Sequence, residues 1–231
     1  MLALILGCWA APRVYHRLFF NFPAGQRPNW EQVLESRQRA FSVPWQDPRP
    51  LVIMAGDSQI ELGNWYELFA GGQAVRNCGL SSARIADVTR LVSAIGDRHP
   101  RLVVLMCGIN DFFAGRTQAE LIQDYDGLLE TVRTHLNPES IIVLSAMPLR
   151  ASPVDHAGQA FNAKVARFNT ALADVCLRQQ ARFLDVSPAV TDDRGGLAAG
   201  LTFDGLHLNP AGYHRLAAAI APQLSQPANA P

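Results

Sequence analysis

Three unbroken apolar runs set the frame of the chain: Leu51-Val52-Ile53-Met54-Ala55, Leu102-Val103-Val104-Leu105-Met106 and Ile141-Ile142-Val143-Leu144. Runs of this length with no polar alternation read as strands buried on both faces of a sheet. Ala74 to Asn77 and Arg182 to Val186 read as two shorter strands, making five. Between the strands the apolar spacing becomes that of a helix. Ile60, Leu62, Trp65, Leu68 and Phe69 form one such face before the stop at Gly71-Gly72. Ile85, Val88, Leu91, Val92 and Ile95 form another, with Ser82 as its cap and Gly96 as its end. Thr117-Gln118-Ala119-Glu120 is a capping box that opens a helix to about His135. A polar loop from Met147 to His156 precedes a long helix over roughly Phe161 to Gln180. After a Gly-rich loop from Ser187 to Gly200, Asn209 followed by Pro210 starts the last helix, to about Leu224. Strands alternating with helices imply right-handed crossovers, and so an α/β domain with a five-stranded parallel sheet covered on both faces.

Composition narrows the class. With 231 residues, 48% apolar and 17% charged, the chain has the profile of one globular domain with a sizeable core. Its 20 basic and 20 acidic residues cancel, which leaves no electrostatic case for nucleic acid or an anionic membrane face. Cys8, Cys78, Cys107 and Cys176 are scattered without a CxxC pair, so neither a zinc site nor a disulfide framework is indicated. At least the last three read as small buried residues.

The first fifty residues stand apart as an apolar segment and a proline-containing lead-in, ahead of a domain at 51–224 and a tail at 225–231. Met1 to Pro12 is apolar throughout but shorter than the roughly 18 residues that span a bilayer, and it lacks the basic start of a secretory signal. Ile5-Leu6-Gly7-Cys8 loosely resembles a bacterial lipobox, and the cluster Leu18-Phe19-Phe20-Asn21-Phe22 follows Arg13, His16 and Arg17. These features favour an exported or membrane-tethered protein over a cytoplasmic one, with peripheral membrane contact through the N-terminus. Within the lead-in, Trp30 to Phe41 can form one short helix.

In doubly wound folds the ligand site lies outside the carboxyl ends of the strands, so residues that carry chemistry should follow strands. Ser58 follows the first strand, Gly79 the second and Asn110 the third; Asp204 and His207 follow the loop after the fifth. Taken singly, each has a plain structural reading. Ser58 is a helix cap, Gly79 and Asn110 are turn residues, and Asp204 with His207 is a surface pair near a helix start. Taken together they supply what ester hydrolysis needs: a nucleophile, a base and donors for an oxyanion. Ser58 can attack if His207 removes its proton, and Asp204 can orient and stabilise the imidazolium.

Gly56-Asp57-Ser58, Asn77-Cys78-Gly79, Gly108-Ile109-Asn110-Asp111 and Asp204-Gly205-Leu206-His207 occur in this order and resemble the four blocks of the SGNH hydrolase (GDSL esterase/lipase) superfamily. The resemblance covers about residues 51–224. It implies a flavodoxin-like three-layer α/β/α sandwich, Ser58 as nucleophile, His207 as general base and then acid, and Asp204 as its orienting partner. It further implies an oxyanion hole formed by the backbone N–H groups of Ser58 and Gly79 with the Asn110 side-chain amide, and no metal or organic cofactor. Gln59 stands where the family often has Leu or another apolar residue, a position without chemical role. Cys78 reads as a buried filler instead of a rival nucleophile, and Asp57 and Asp111 as braces for their loops. Trp65, Phe112 and Phe113 could line a pocket, though core packing is the safer reading.

Gly63-Asn64-Trp65 and Gln123-Asp124-Tyr125 are similar to bacterial proteins related to platelet-activating-factor acetylhydrolases and carbohydrate O-acetylesterases. An acetyl or other short-chain ester of a sugar or lipid is therefore the first expectation for the small-molecule substrate. An O-acyltransferase with the same triad is the nearest alternative. A non-catalytic glycan- or lipid-binding domain on this fold is another, but it would not need all five chemical residues. A flavin- or nucleotide-binding protein would need a GxGxxG or P-loop after a strand, and none is present.

Overall fold

The apolar runs pair edge to edge as one parallel sheet. The computed structural model describes residues 29–43, 51–69, 74–152 and 154–224. Its strands are β1 (Leu51–Gly56), β2 (Ala74–Gly79), β3 (Leu102–Met106), β4 (Ile141–Leu144) and β5 (Arg182–Leu184), in the order β2-β1-β3-β4-β5. All four pairings are parallel. This is the flavodoxin-like order, in which the connections change direction between β1 and β3. Gly56 stands level with Gly79 on one side and Met106 on the other, so three strand ends open onto one crevice.

The helices are α1 (Trp30–Ser42), α2 (Ser58–Glu61), α3 (Trp65–Leu68), α4 (Ile85–Ile95), α5 (Ile109–Phe113), α6 (Gln118–Leu136), α7 (His156–Arg178), α8 (Ser187–Val190) and α9 (Pro210–Leu224). Alternate residues of each strand feed two separate cores. Ile53, Ala55, Val103, Leu105 and Val143 pack against α1, α4, α6 and α7. Val52, Met54, Val104, Ile142 and Leu144 pack against α3, α8 and α9. The lead-in helix α1 is part of the first core through Leu34 and Phe41, with the Trp30 indole N–H donating to Asp87 Oδ1 at 3.2 Å.

Several boundaries differ from the sequence expectation for identifiable reasons. The single helix expected after β1 is two short ones, because the chain turns at Gly63 with no room for a side chain beside the Trp65 ring. Ser82 does not cap α4; it adopts a left-handed φ of 66° and the helix starts at Ile85. Carboxylates satisfy the first N–H groups instead: Asp87 Oδ2 accepts from Arg84 N and Asp111 Oδ2 from Ile85 N, both at 3.0 Å. β2 continues to Gly79, β5 ends at Leu184, and α7 begins at His156, where Asp155 caps it. The capping boxes at Asn29 and Thr117 form. The apolar start of the chain, including Cys8 and the lipobox-like stretch, and the tail from 225 lie outside the described residues. Among the described residues no helix is long and apolar enough to cross a membrane.

Two glycines separate close packing from helix propensity. A Cβ on Gly56 would sit 2.0 Å from the Met106 carbonyl oxygen, whereas one on Gly127, on the exposed side of α6, meets nothing within 4 Å. Gly56→Ala should lower the unfolding free energy by about 1–3 kcal/mol, and Gly127→Ala should raise it by about 0.5–1 kcal/mol. Urea titrations of the two variants check this, and shifts of the same sign would contradict it.

Candidate active site

The crevice at the β1/β3 change of direction receives the expected residues. Ser58 is the first residue of α2 and almost fully buried, with Asp57 as the cap whose Oδ1 accepts from Gln59 N at 2.9 Å. An N–H in the first turn of a helix has no intrahelical acceptor, which leaves the Ser58 N–H for a ligand. Asn77, at the end of β2, braces α2 from the far side: its Nδ2 lies 2.9–3.0 Å from the carbonyls of Ile60, Glu61 and Gly63. Glu61 accepts from Ser81 N at 2.7 Å and pairs with Arg37 of α1, so the lead-in helix also supports the turn that carries Ser58.

The histidine arrives on a tight loop ahead of α9. Gly205 takes φ 92°, the left-handed region that glycine enters without strain. Thr202 Oγ1 accepts from Gly205 N at 2.8 Å and donates to the His207 carbonyl at 2.7 Å, closing the loop on itself. Asp204 Oδ1 accepts from the N–H groups of Leu206 and His207 at 2.9 and 2.7 Å, which aims Oδ2 at His207 Nδ1, 2.6 Å away. Nε2 then faces Ser58 Oγ at 3.0 Å. Burial alone would raise the pKa of Asp204, but the bonds from the His207 ring and from the backbone outweigh it and hold the carboxyl below its ordinary value. An ionised Asp204 keeps the proton on Nδ1 and presents Nε2 to the serine hydroxyl as an acceptor.

The structure thus joins Ser58, His207 and Asp204 in one hydrogen-bonded line. Gly79 and Asn110 lie at the neighbouring strand ends. The Asn110 Nδ2 donates to the Ala83 carbonyl at 3.0 Å, which fixes the side chain and leaves its second N–H. The Gly79 N–H donates to Asn77 Oδ1 at 2.9 Å, so any further acceptor must share it.

Gln59 does more than its lack of a chemical role suggests. It is buried, its Nε2 donates to the Leu206 carbonyl at 2.8 Å, and its own carbonyl accepts the Tyr213 hydroxyl of α9 at 2.9 Å. The residue after the serine therefore ties the Ser58 turn to the residue before the histidine. Only its polarity at a position expected to be apolar marked it in the sequence. Its Oε1 is buried with no partner among the described residues, beside a recess of about 10 Å³ bordered by Asp57, Met106, Cys107 and Met147. A larger groove of about 570 Å³ runs between α7 and the β5 side, bordered by Asn169, Phe183 and Asp185; no triad residue lines it.

Other candidates resolve as packing. Trp65 is buried, stacked on Phe69 and edge-on to Tyr213, with its indole N–H donating to the Ile60 carbonyl at 2.7 Å. Phe112 and Phe113 pack on Phe161, and Phe112 also on Phe168. Burial pushes the Cys78 and Cys176 thiols up to about 12 and Cys107 well above its ordinary value, which removes the thiolate a nucleophile would need. Among the described residues no group of three or more His, Cys, Asp or Glu could hold a metal ion.

Asp57 has a consequence for stability. Burial pushes its pKa up to about 7, against the pull of the Gln59 N–H and of His207. Between about pH 4 and pH 7 the folded state then keeps a proton that the unfolded state releases, so stability falls as pH rises through this window. Asp57→Asn keeps an acceptor for Gln59 N and removes the titration. The variant should gain on the native chain by about 2–4 kcal/mol between pH 4 and pH 8. Urea unfolding at the two pH values measures it, and a difference that does not change with pH would contradict the assignment.

The family model for the GDSL-like Lipase/Acylhydrolase family matches residues 53–215, from β1 into α9 and across every residue of this site. The platelet-activating factor acetylhydrolase IB subunit alpha2 of Homo sapiens is 26% identical over 193 residues, covering 78% of this chain and 79% of its own. Among solved structures, a Streptococcus pneumonia protein described as a platelet activating factor superposes with TM-score 0.74 at 21% identity, over 93% of this chain and 98% of that one. A variant of an acetyl-xylooligosaccharide esterase from Geobacillus Stearmophilus gives 0.62 at 16%, over 78% and 95%. At such identities these structures speak for the fold, while the family model spans well over half of the chain and carries the chemistry. The chain belongs to the GDSL-like lipase/acylhydrolase family and is a carboxylic ester hydrolase.

Proposed function

We propose that the protein cleaves a short-chain, in the first instance acetyl, ester through an acyl-serine intermediate. The observation that carries this reading is the line from Asp204 through His207 to Ser58, at 2.6 and 3.0 Å. In the first half-reaction Ser58 Oγ forms a bond to the ester carbonyl carbon as its proton passes to His207 Nε2. The carbonyl oxygen becomes an oxyanion facing the Ser58 N–H and the Asn110 amide, with the Gly79 N–H sharing itself between this oxygen and Asn77. The carbon–alkoxy bond then breaks, and Nε2 returns the proton to the leaving oxygen. Water attacks the acyl carbon in the second half-reaction, gives its proton to Nε2, and the proton ends on Ser58 Oγ as the acid leaves. Asp204 stays ionised throughout and stabilises the imidazolium. The acetyl preference is supported by the relatives, whose names describe an acetylhydrolase and an acetyl-xylooligosaccharide esterase.

Ser58→Ala should abolish hydrolysis of p-nitrophenyl acetate while thermal unfolding stays unchanged, and the native chain should turn over the acetate faster than octanoate or longer esters. Turnover that persists in the variant would remove Ser58 from the mechanism. Asn110→Ala should lower kcat by roughly 10²–10³ with little change in KM, because its free N–H acts on the oxyanion and not on the ground state. A large rise in KM with kcat intact would make Asn110 a substrate-binding residue instead.

A further inference from the structure

Phe203 precedes Asp204 and is 62% exposed as a residue. It belongs to neither hydrophobic core, in contrast to the buried Trp65, Phe69 and Tyr213 nearby in the same half of the molecule. The ring lies nearly parallel to the His207 imidazole, at 13° with centroids 5.7 Å apart. At that separation parallel rings are offset, so the phenyl extends past the imidazole edge instead of covering it. The loop that carries it is held by the two Thr202 hydroxyl bonds and by the Thr202–Leu208 bridge, so the aromatic face has a fixed place relative to the base. An exposed phenylalanine on a braced loop does nothing for the core. Its apolar face is available to a ligand.

We propose that Phe203 is the platform for the alcohol half of the ester and selects leaving groups that present the face of a six-membered ring. This rests on the reading above, in which His207 Nε2 protonates the leaving oxygen. That oxygen must come within about 3 Å of Nε2 for the transfer. Whatever group is attached to it then lies beside the imidazole, the ring that the phenyl flanks with its centroid 5.7 Å away. An aryl ring and the C–H face of a pyranose offer the same flat apolar surface, and both stack on an aromatic. A small alkyl alcohol reaches Nε2 equally well and gains little from the platform.

The test compares kcat/KM for phenyl acetate, acetylated methyl β-xyloside and ethyl acetate in the native chain, Phe203→Ala, Phe203→Leu and Phe203→Trp. Because kcat/KM reports acylation, the intrinsic reactivity of each ester cancels when a variant is compared with the native chain on the same ester. Phe203→Ala and Phe203→Leu should lose about five- to tenfold on at least one ring ester, mainly through KM, and stay within about twofold on ethyl acetate. Phe203→Trp should retain the ring preference. A loss confined to the aryl ester assigns an aryl leaving group, and one confined to the xyloside a sugar; both support the platform. Equal losses on all three esters, with the acid limb of the pH profile displaced, would mean that Phe203 acts on His207 and would overturn the proposal. So would an active native chain whose Phe203→Ala variant shows no loss on any ester. A native chain inactive on all three would bring down the triad reading and this proposal with it, an outcome separable from the others by the absence of any rate to compare.

Discussion

The contact on which the site depends is the one between Ser58 Oγ and His207 Nε2, two side chains 149 positions apart held at 3.0 Å. Neither local sequence nor one element can create it. Ser58 is placed by β1, whose last residue Gly56 is squeezed between Gly79 and Met106. His207 is placed by a loop closed on Thr202 and by α9, which packs on the opposite face of the same strands. Gln59 and Tyr213 then fasten one assembly to the other. The sheet brings two distant segments of the chain together, and a few polar bonds fix the final distance between Ser58 and His207.

Burial gives the two carboxylates of this region opposite characters. Asp204 is partly exposed and receives three hydrogen bonds from the histidine loop, so it stays ionised and can serve a cation. Asp57 is fully buried, and the Gln59 N–H that it accepts does not offset the loss of water, so its acidity is weakened to the neutral range. Asp111, also buried, is raised in the same direction despite Arg116 beside it. The carboxylate that contacts His207 is thus the one that keeps some access to water. The buried pair braces the turns beneath it.

Much of the fold was legible because its strands are continuous apolar runs, and burial on both faces is what such runs encode. Chemistry at strand ends was legible for the same topological reason. The boundaries that moved are those where tertiary contacts override local preference. Ser82 was expected as a cap, but carboxylates from Asp87 and Asp111 already satisfy the N–H groups of that helix, and the serine turns into a left-handed conformation instead. The helix after β1 is interrupted at Gly63, where the Trp65 ring lies so close that a Cβ would meet it. The bracing roles of Gln59 and Asn77 are not legible in the sequence, because their partners, Leu206 and Tyr213 for one and Ile60, Glu61 and Gly63 for the other, lie in other elements, where no spacing rule reaches. The same holds for Arg37, whose link to Glu61 makes the lead-in helix a support for the Ser58 turn.

The central claim is that one serine is activated by one histidine across the width of the sheet. Fluorophosphonate labelling followed by peptide mapping tests it most directly, because the probe traps the activated hydroxyl without depending on the natural substrate. The structure predicts a single adduct on Ser58 in the native chain, formed far more slowly in a folded His207→Ala variant. An adduct on another residue, or labelling of Ser58 at an unchanged rate without His207, would contradict it.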